Sequence, residues 1–103
     1  MSDAIIKMGG GRWSLIRQRD GVGDSGCMLE AVGLKDDKVE IINGEVRLGY
    51  ACRVGSTYAR SYSVQDWWMT TPVEKILNVK YENGEAIEVH FKTRNSEYIL
   101  KVS

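Results

Sequence analysis

Residues 39–52, Val39-Glu40-Ile41-Ile42-Asn43-Gly44-Glu45-Val46-Arg47-Leu48-Gly49-Tyr50-Ala51-Cys52, set the class of this protein. A run rich in β-branched residues enters Asn-Gly, the pair that two-residue type I′ hairpins prefer because both of their central residues need positive φ. The chain leaves the pair with Val46, Leu48, Tyr50 and Cys52 in alternation. Period two is the signature of a strand, whose successive side chains point to opposite faces. A hairpin is predicted here, and an all-β chain around it.

The next forty residues repeat the pattern. Val39, Asn43, Gly44, Glu45, Ser56 and Tyr58 have identical counterparts in Val79, Asn83, Gly84, Glu85, Ser96 and Tyr98. Val73 to Glu82 leads into the second Asn-Gly; beyond it Ile87, Val89 and Phe91 face one way, and Glu88, His90 and Lys92 the other. Gly55-Ser56 and Arg94-Asn95-Ser96 supply the remaining turns, into Thr57 to Ser63 and into Tyr98, Leu100 and Val102. Each half thus reads as a three-stranded meander, with Asp66-Trp67-Trp68-Met69-Thr70-Thr71-Pro72 as the crossover between them. Val46, Leu48 and Tyr50 fall opposite Ala86, Glu88 and His90, so the repeat is one of topology and not of burial. Pro72 fits the first position of a strand, where its missing N–H harms no ladder.

Upstream, Asp3 to Met8 and Arg12 to Arg19 flank Gly9-Gly10-Gly11 and read as an opening hairpin. Cys27 to Val32, closed by Gly33, fits a strand or a short helix capped by Ser25, and its strand neighbours favour the strand. The expected fold is a single β domain over residues 1–103. It would be a small antiparallel barrel or sandwich built from an N-terminal hairpin and two three-stranded meanders, with at most one short helix. The barrel is favoured because a closed sheet needs no covering helices. Edges left open would be satisfied by pairing with a second copy.

A chain of 103 residues supports one core and buries about two-thirds of its unfolded surface. Fourteen basic residues balance fourteen acidic ones, which removes the global field of a dedicated duplex-DNA binder. Cys27 and Cys52 are too few for a disulfide framework, no charged segment followed by an apolar one opens the chain, and no apolar run reaches transmembrane length. A cytoplasmic protein with two thiols is expected.

Few motifs bear on catalysis. Gly21-Val22-Gly23-Asp24-Ser25-Gly26 matches the dinucleotide pattern G-x-G-x-x-G, but the strand before it carries Arg12, Arg17 and Arg19 and no alternation of strands and helices follows. Gly23-Asp24-Ser25-Gly26 also looks like the nucleophile signature of chymotrypsin-like proteases, which need a histidine upstream; the only one, His90, is downstream. With Glu88 and Lys92 as neighbours, His90 reads as a solvated strand position, and neither metal nor cofactor is expected. The prediction is a protein without catalytic activity.

The functional signal is local. Between Glu45 and Asp66 there is no acidic residue, while Arg47, Arg53 and Arg60 interleave with Tyr50, Tyr58 and Tyr62. Tyrosine, tryptophan and arginine supply most of the energy at protein interfaces. Adjacent side chains of an extended segment point apart, so one of Trp67 and Trp68 should be partly exposed. The expected binding residues are Tyr58, Arg60, Tyr62, Trp67, Trp68, Arg47 and Arg53, and the expected partner is a protein, including a second copy of the chain. The same residues would also serve a single-stranded nucleic-acid binder of the OB or SH3-like barrel type, whose aromatics stack bases and whose arginines neutralise phosphates.

Thr70-Thr71-Pro72-Val73 followed by Thr93-Arg94-Asn95-Ser96-Glu97-Tyr98 resembles a pattern in short stand-alone β-proteins of phages and mobile elements, including those of integron gene cassettes. The resemblance covers the last third of the chain. It implies an accessory or interaction role and carries over no catalytic residue.

Overall fold

The structure is a computed structural model and describes residues 5–55 and 67–102. Its elements are all strands: β1 (Ile5–Lys7), β2 (Trp13–Arg17), β3 (Gly23–Gly26), β4 (Met28–Lys35), β5 (Lys38–Asn43), β6 (Glu45–Arg47), β7 (Ala51–Gly55), β8 (Trp67–Glu82), β9 (Glu85–Thr93) and β10 (Glu97–Val102). Eight of them form one sheet in the order β3-β2-β10-β9-β8-β7-β4-β5, and β1 pairs with β6 in a two-stranded ribbon. Every strand pair is antiparallel. The all-β reading holds, and residues 27–32 belong to strand rather than helix. No helix among the described residues is long and apolar enough to cross a membrane.

The favoured barrel does not form. The sheet stays open with β3 and β5 as its edges, although it coils far enough to bring β2 and β3 into contact with β7. Much of the coiling belongs to β8. Ala51 faces Pro72 and Arg53 faces Met69, so Thr70 and Thr71 stand opposite Cys52 alone. Glu74 and Leu77 are likewise extra against β9, and Ile87 is extra against β8. Each such bulge inserts a residue, bends its strand and increases the local twist. The insertions also reset the alternation, so beyond Trp68 the apolar side chains that β8 turns to the core are Val73, Ile76 and Val79, three residues apart. Pro72 accordingly lies inside a central strand and not at the start of one; it is tolerated there because it sits beside a bulge.

The bulge at Thr70 is chemically complete. The Cys52 N–H donates to the Thr70 hydroxyl at 3.1 Å, and that hydroxyl donates to the Thr71 carbonyl at 2.6 Å. A side chain thereby replaces a ladder bond that the extra residue displaces. Replacing Thr70 by Val keeps the shape but leaves a buried N–H without an acceptor, which costs about 1–3 kcal/mol. Urea unfolding should show this loss for Thr70→Val and recover most of it for Thr70→Ser.

Asn83-Gly84 forms the predicted hairpin: φ is 53° and 82°, and Glu82 faces Glu85 across it. Asn43-Gly44 does not. Only Gly44 of that pair takes positive φ, at 75°; its N–H donates to the Leu29 carbonyl and its carbonyl accepts from the Met8 N–H, each at 2.8 Å. Bonds that would have closed a hairpin go to neighbours on either side, so β5 stays with β4 while β6 turns away to β1. Two further expectations change with it. β1 pairs with β6 instead of forming an opening hairpin with β2, and the first half is not a meander like β8-β9-β10. The tryptophan stretch begins β8 beside β7 rather than crossing between halves. A hairpin that the sequence did not announce connects β4 to β5 through Asp36 and Asp37, at φ 53° and 63°.

The core lies inside the coil. Leu15, Leu29, Val54, Val73, Val89, Phe91 and Leu100 are fully buried or nearly so, and Phe91 stacks on Tyr98 with ring centroids 5.5 Å apart. The ribbon closes one end with Ile6 and Val46, held by the Gly9 N–H donating to the Ala86 carbonyl at 2.9 Å. Burial of such side chains supplies most of the stability of a domain this size.

Candidate functional site

Three of the expected binding residues, Tyr58, Arg60 and Tyr62, lie outside the described residues, as does the side chain of Trp67, whose backbone begins β8 opposite Gly55. The other three are described. Arg53 faces Glu30 across β4 and β7, and its Nε donates to the carboxylate at 2.8 Å. Arg47 lies 3.0 Å from the Glu45 carboxylate, with its guanidinium 5.1 Å from the Tyr50 ring centre. The Tyr50 hydroxyl in turn donates to Glu40, and that bond, with burial second, raises the Tyr50 pKa. Acid is absent between Glu45 and Asp66 in the chain, but sheet pairing brings Glu30 to Arg53 in space. Both arginine charges are therefore matched.

Trp68 is half-buried, opposite Val54, and forms one wall of a cleft of about 360 Å³ with Arg17, Arg19, Thr71, Asn95 and Tyr98. The Arg17 guanidinium stands 5.0 Å from the indole centre, a cation–π distance. Asp20 fixes it there, accepting from Nε at 3.0 Å and Nη2 at 2.7 Å. The Arg17 bonds and the Val22 N–H hold the Asp20 carboxyl below its ordinary range. Arg17 was no candidate on sequence, because nothing local links it to Trp68.

A second surface was missed entirely. On the face of β4, β5, β7 and β8 turned away from the core, cross-strand register places Ile41, Val32, Ala51 and Pro72 in one row and Val39 with Leu34 in the next, with Met69 beyond Arg53 on the other side. Leu34 is 71% exposed, Val39 67%, Ile41 50% and Met69 43%. A groove of about 350 Å³ is lined by Leu34, Val39 and Met69. The charged residues around it are of both signs: Lys35, Asp36, Asp37 and Lys38 at the hairpin, and the Glu30–Arg53 pair along β4 and β7. No local signal in the sequence marks this face, because Val39 and Ile41 alternating with Lys38 and Glu40 read as the core-facing phase of a strand.

The remaining motifs sit in ordinary surroundings. Gly23–Gly26 is an edge strand followed by β4, and a Cβ at Gly23 would collide with the Leu15 carbonyl, so this glycine serves strand packing. His90 bonds Glu88 at 2.8 Å, which lowers the Glu88 pKa with help from Lys80. No group of three His, Cys, Asp or Glu side chains among the described residues is arranged to hold a metal ion. Neither Cys27 nor Cys52 is in a disulfide, and desolvation pushes the Cys52 pKa up to about 12. Thiolate is the reactive form, so Cys52 should resist labelling by a disulfide reagent in the folded protein and react only in denaturant. A Cys27→Ser variant isolates that reading, since every label it takes up must be on Cys52.

No family model, curated protein or solved structure matches the chain.

Proposed function

We propose that this is a non-catalytic binding protein that acts by protein–protein interaction through the outer face of β4, β5, β7 and β8 and the β5 edge beside it, and that its first partner is a second copy of itself. The observation that carries the proposal is the contiguity of Leu34, Val39, Ile41 and Met69, four large apolar side chains exposed together on one face beside an open sheet edge. Singly exposed apolar residues are ordinary, but a contiguous patch framed by polar groups marks a binding surface. An apolar centre within a charged rim is also the anatomy of a protein interface.

Sedimentation equilibrium of the full chain over a range of concentrations and at low and high salt tests it. Mass should rise above that of one chain with concentration, and salt should change the association little because the buried surface is apolar. A constant monomer mass throughout would overturn self-association.

A nucleic-acid reading keeps one specific support, the Arg17 guanidinium on Trp68 with Arg19 beside it. Titration with a single-stranded oligonucleotide would then quench tryptophan fluorescence, steeply less so as salt rises.

A further inference from the structure

We infer that the second copy docks edge to edge, β5 against β5 in antiparallel, about a two-fold axis at Val39. This rests on the self-association proposed above and specifies its geometry.

The hydrogen bonds come first. Among the described residues β5 pairs with β4 alone, which leaves one side of its backbone open. Asp36 and Asp37 both have positive φ and form a two-residue turn, which makes Lys35 and Lys38 a hydrogen-bonded pair. Antiparallel ladders alternate, so Glu40 and Ile42 also spend their backbone groups on β4, while Val39, Ile41 and Asn43 turn theirs outward. Two of the usual protections of an edge are missing: β5 contains no proline, and its register with β4 runs without a bulge from Lys38 to Asn43.

Charge then selects the register. Two-fold antiparallel pairing keeps side chains on their own faces, so the axis must pass at a residue, and the choices near the centre of the strand are Val39, Glu40 and Ile41. An axis at Glu40 sets two carboxylates directly opposite each other in a close pair, which is unfavourable. An axis at Ile41 sets Glu40 against Ile42 and Lys38 against Gly44, leaving both charges without partners. An axis at Val39 sets Lys38 of each copy against Glu40 of the other. The Tyr50 hydroxyl occupies one oxygen of Glu40, and the second oxygen is left for the lysine.

Apolar burial agrees with charge. Leu34 lies directly across from Val39 in the β4–β5 ladder, and these are the two most exposed large apolar side chains among the described residues. With the axis at Val39 they join their counterparts in one unbroken row of Leu34, Val39, Val39 and Leu34 across the seam. The two eight-stranded sheets then become one continuous sheet, and the apolar outer faces lie side by side on it.

The test uses the full chain in a Cys27→Ser background. Oxidation of Val39→Cys should give a disulfide-linked dimer efficiently, because the two Cα atoms across such a pair are about 5.5 Å apart, within disulfide range; Ile41→Cys should link poorly. Lys38→Glu should weaken association by roughly tenfold, the size of two exposed cross-strand ion pairs turned repulsive. Adding Glu40→Lys to it should restore most of the loss. Glu40→Gln, which still accepts from Tyr50, should weaken association as well; if it tightens association, the axis lies at Glu40 and the inference fails. A wild-type dimer that ignores these charge changes and links through Ile41→Cys as readily as through Val39→Cys overturns the edge geometry while leaving self-association intact. A wild-type monomer overturns both.

Discussion

Leu34→Asp should leave the protein folded and weaken its self-association. In the single chain Leu34 is 71% exposed, so a carboxylate there meets water and changes stability by no more than about 0.5 kcal/mol. In the associated state Leu34 lies one strand in from the seam on the same outer face, and the substitution breaks the apolar row of Leu34, Val39, Val39 and Leu34 once in each copy. We expect a loss of about tenfold in association, the scale of two cross-strand apolar contacts removed. Sedimentation shows the mass and circular dichroism the fold. An unchanged oligomer would place the interface elsewhere, whereas an unfolded variant would mean that Leu34 supports the monomer, contrary to its exposure.

Phe91→Ala acts on the fold itself. Phe91 is fully buried, stacks on Tyr98 and belongs to the core cluster with Leu15, Leu100 and Val89. Truncation removes its transfer free energy, leaves a cavity that a surrounding sheet cannot collapse around, and forfeits the ring contact; about 3–5 kcal/mol is the expected loss. Domains of this size hold only about 5–15 kcal/mol in all, so the variant should sit near the edge of unfolding. The urea midpoint should fall steeply with little change in slope, since the surface exposed on unfolding is nearly the same. A loss below about 1 kcal/mol would mean that the core repacks freely around position 91.

The two Asn-Gly pairs show how far the sequence could be read. Both carry the same turn chemistry, yet only Asn83-Gly84 closes a hairpin. Turn residues govern φ at two positions; which strand then finds which partner depends on segments far away, here Leu29 and Met8 on either side of Gly44. Asp36-Asp37 makes the opposite point, because two aspartates tolerate positive φ without being the usual choice for it. Strand identity was legible over most of the described residues, although glycine-rich Gly23–Gly26 reads as loop on composition and is strand β3; alternation marked β2, β9 and β10. It failed on β8, where bulges at Thr70-Thr71, Glu74 and Leu77 put core positions three residues apart.

The candidate sites were harder to see for a related reason. Composition pointed to Arg47 and Arg53 as unopposed charge, but a sheet neutralises by register, and Glu30 is 23 residues from Arg53 along the chain. Val39 and Ile41 looked like core residues of a hairpin strand. They are exposed because β5 has a neighbour on one side only and the apolar core is already filled from β4, β7 and β9.

The position of β10 also fixes when this protein can fold. β10 lies between β2 and β9, with Tyr98 facing Arg17 on one side and Phe91 on the other. Strands β2 and β3, made early, therefore have no place in the large sheet until Glu97–Val102 has been synthesised. A nascent chain must hold Trp13 and Leu15 uncovered until those residues have emerged, and the closing step joins segments far apart in sequence. Such topologies fold slowly and expose apolar strands while they wait.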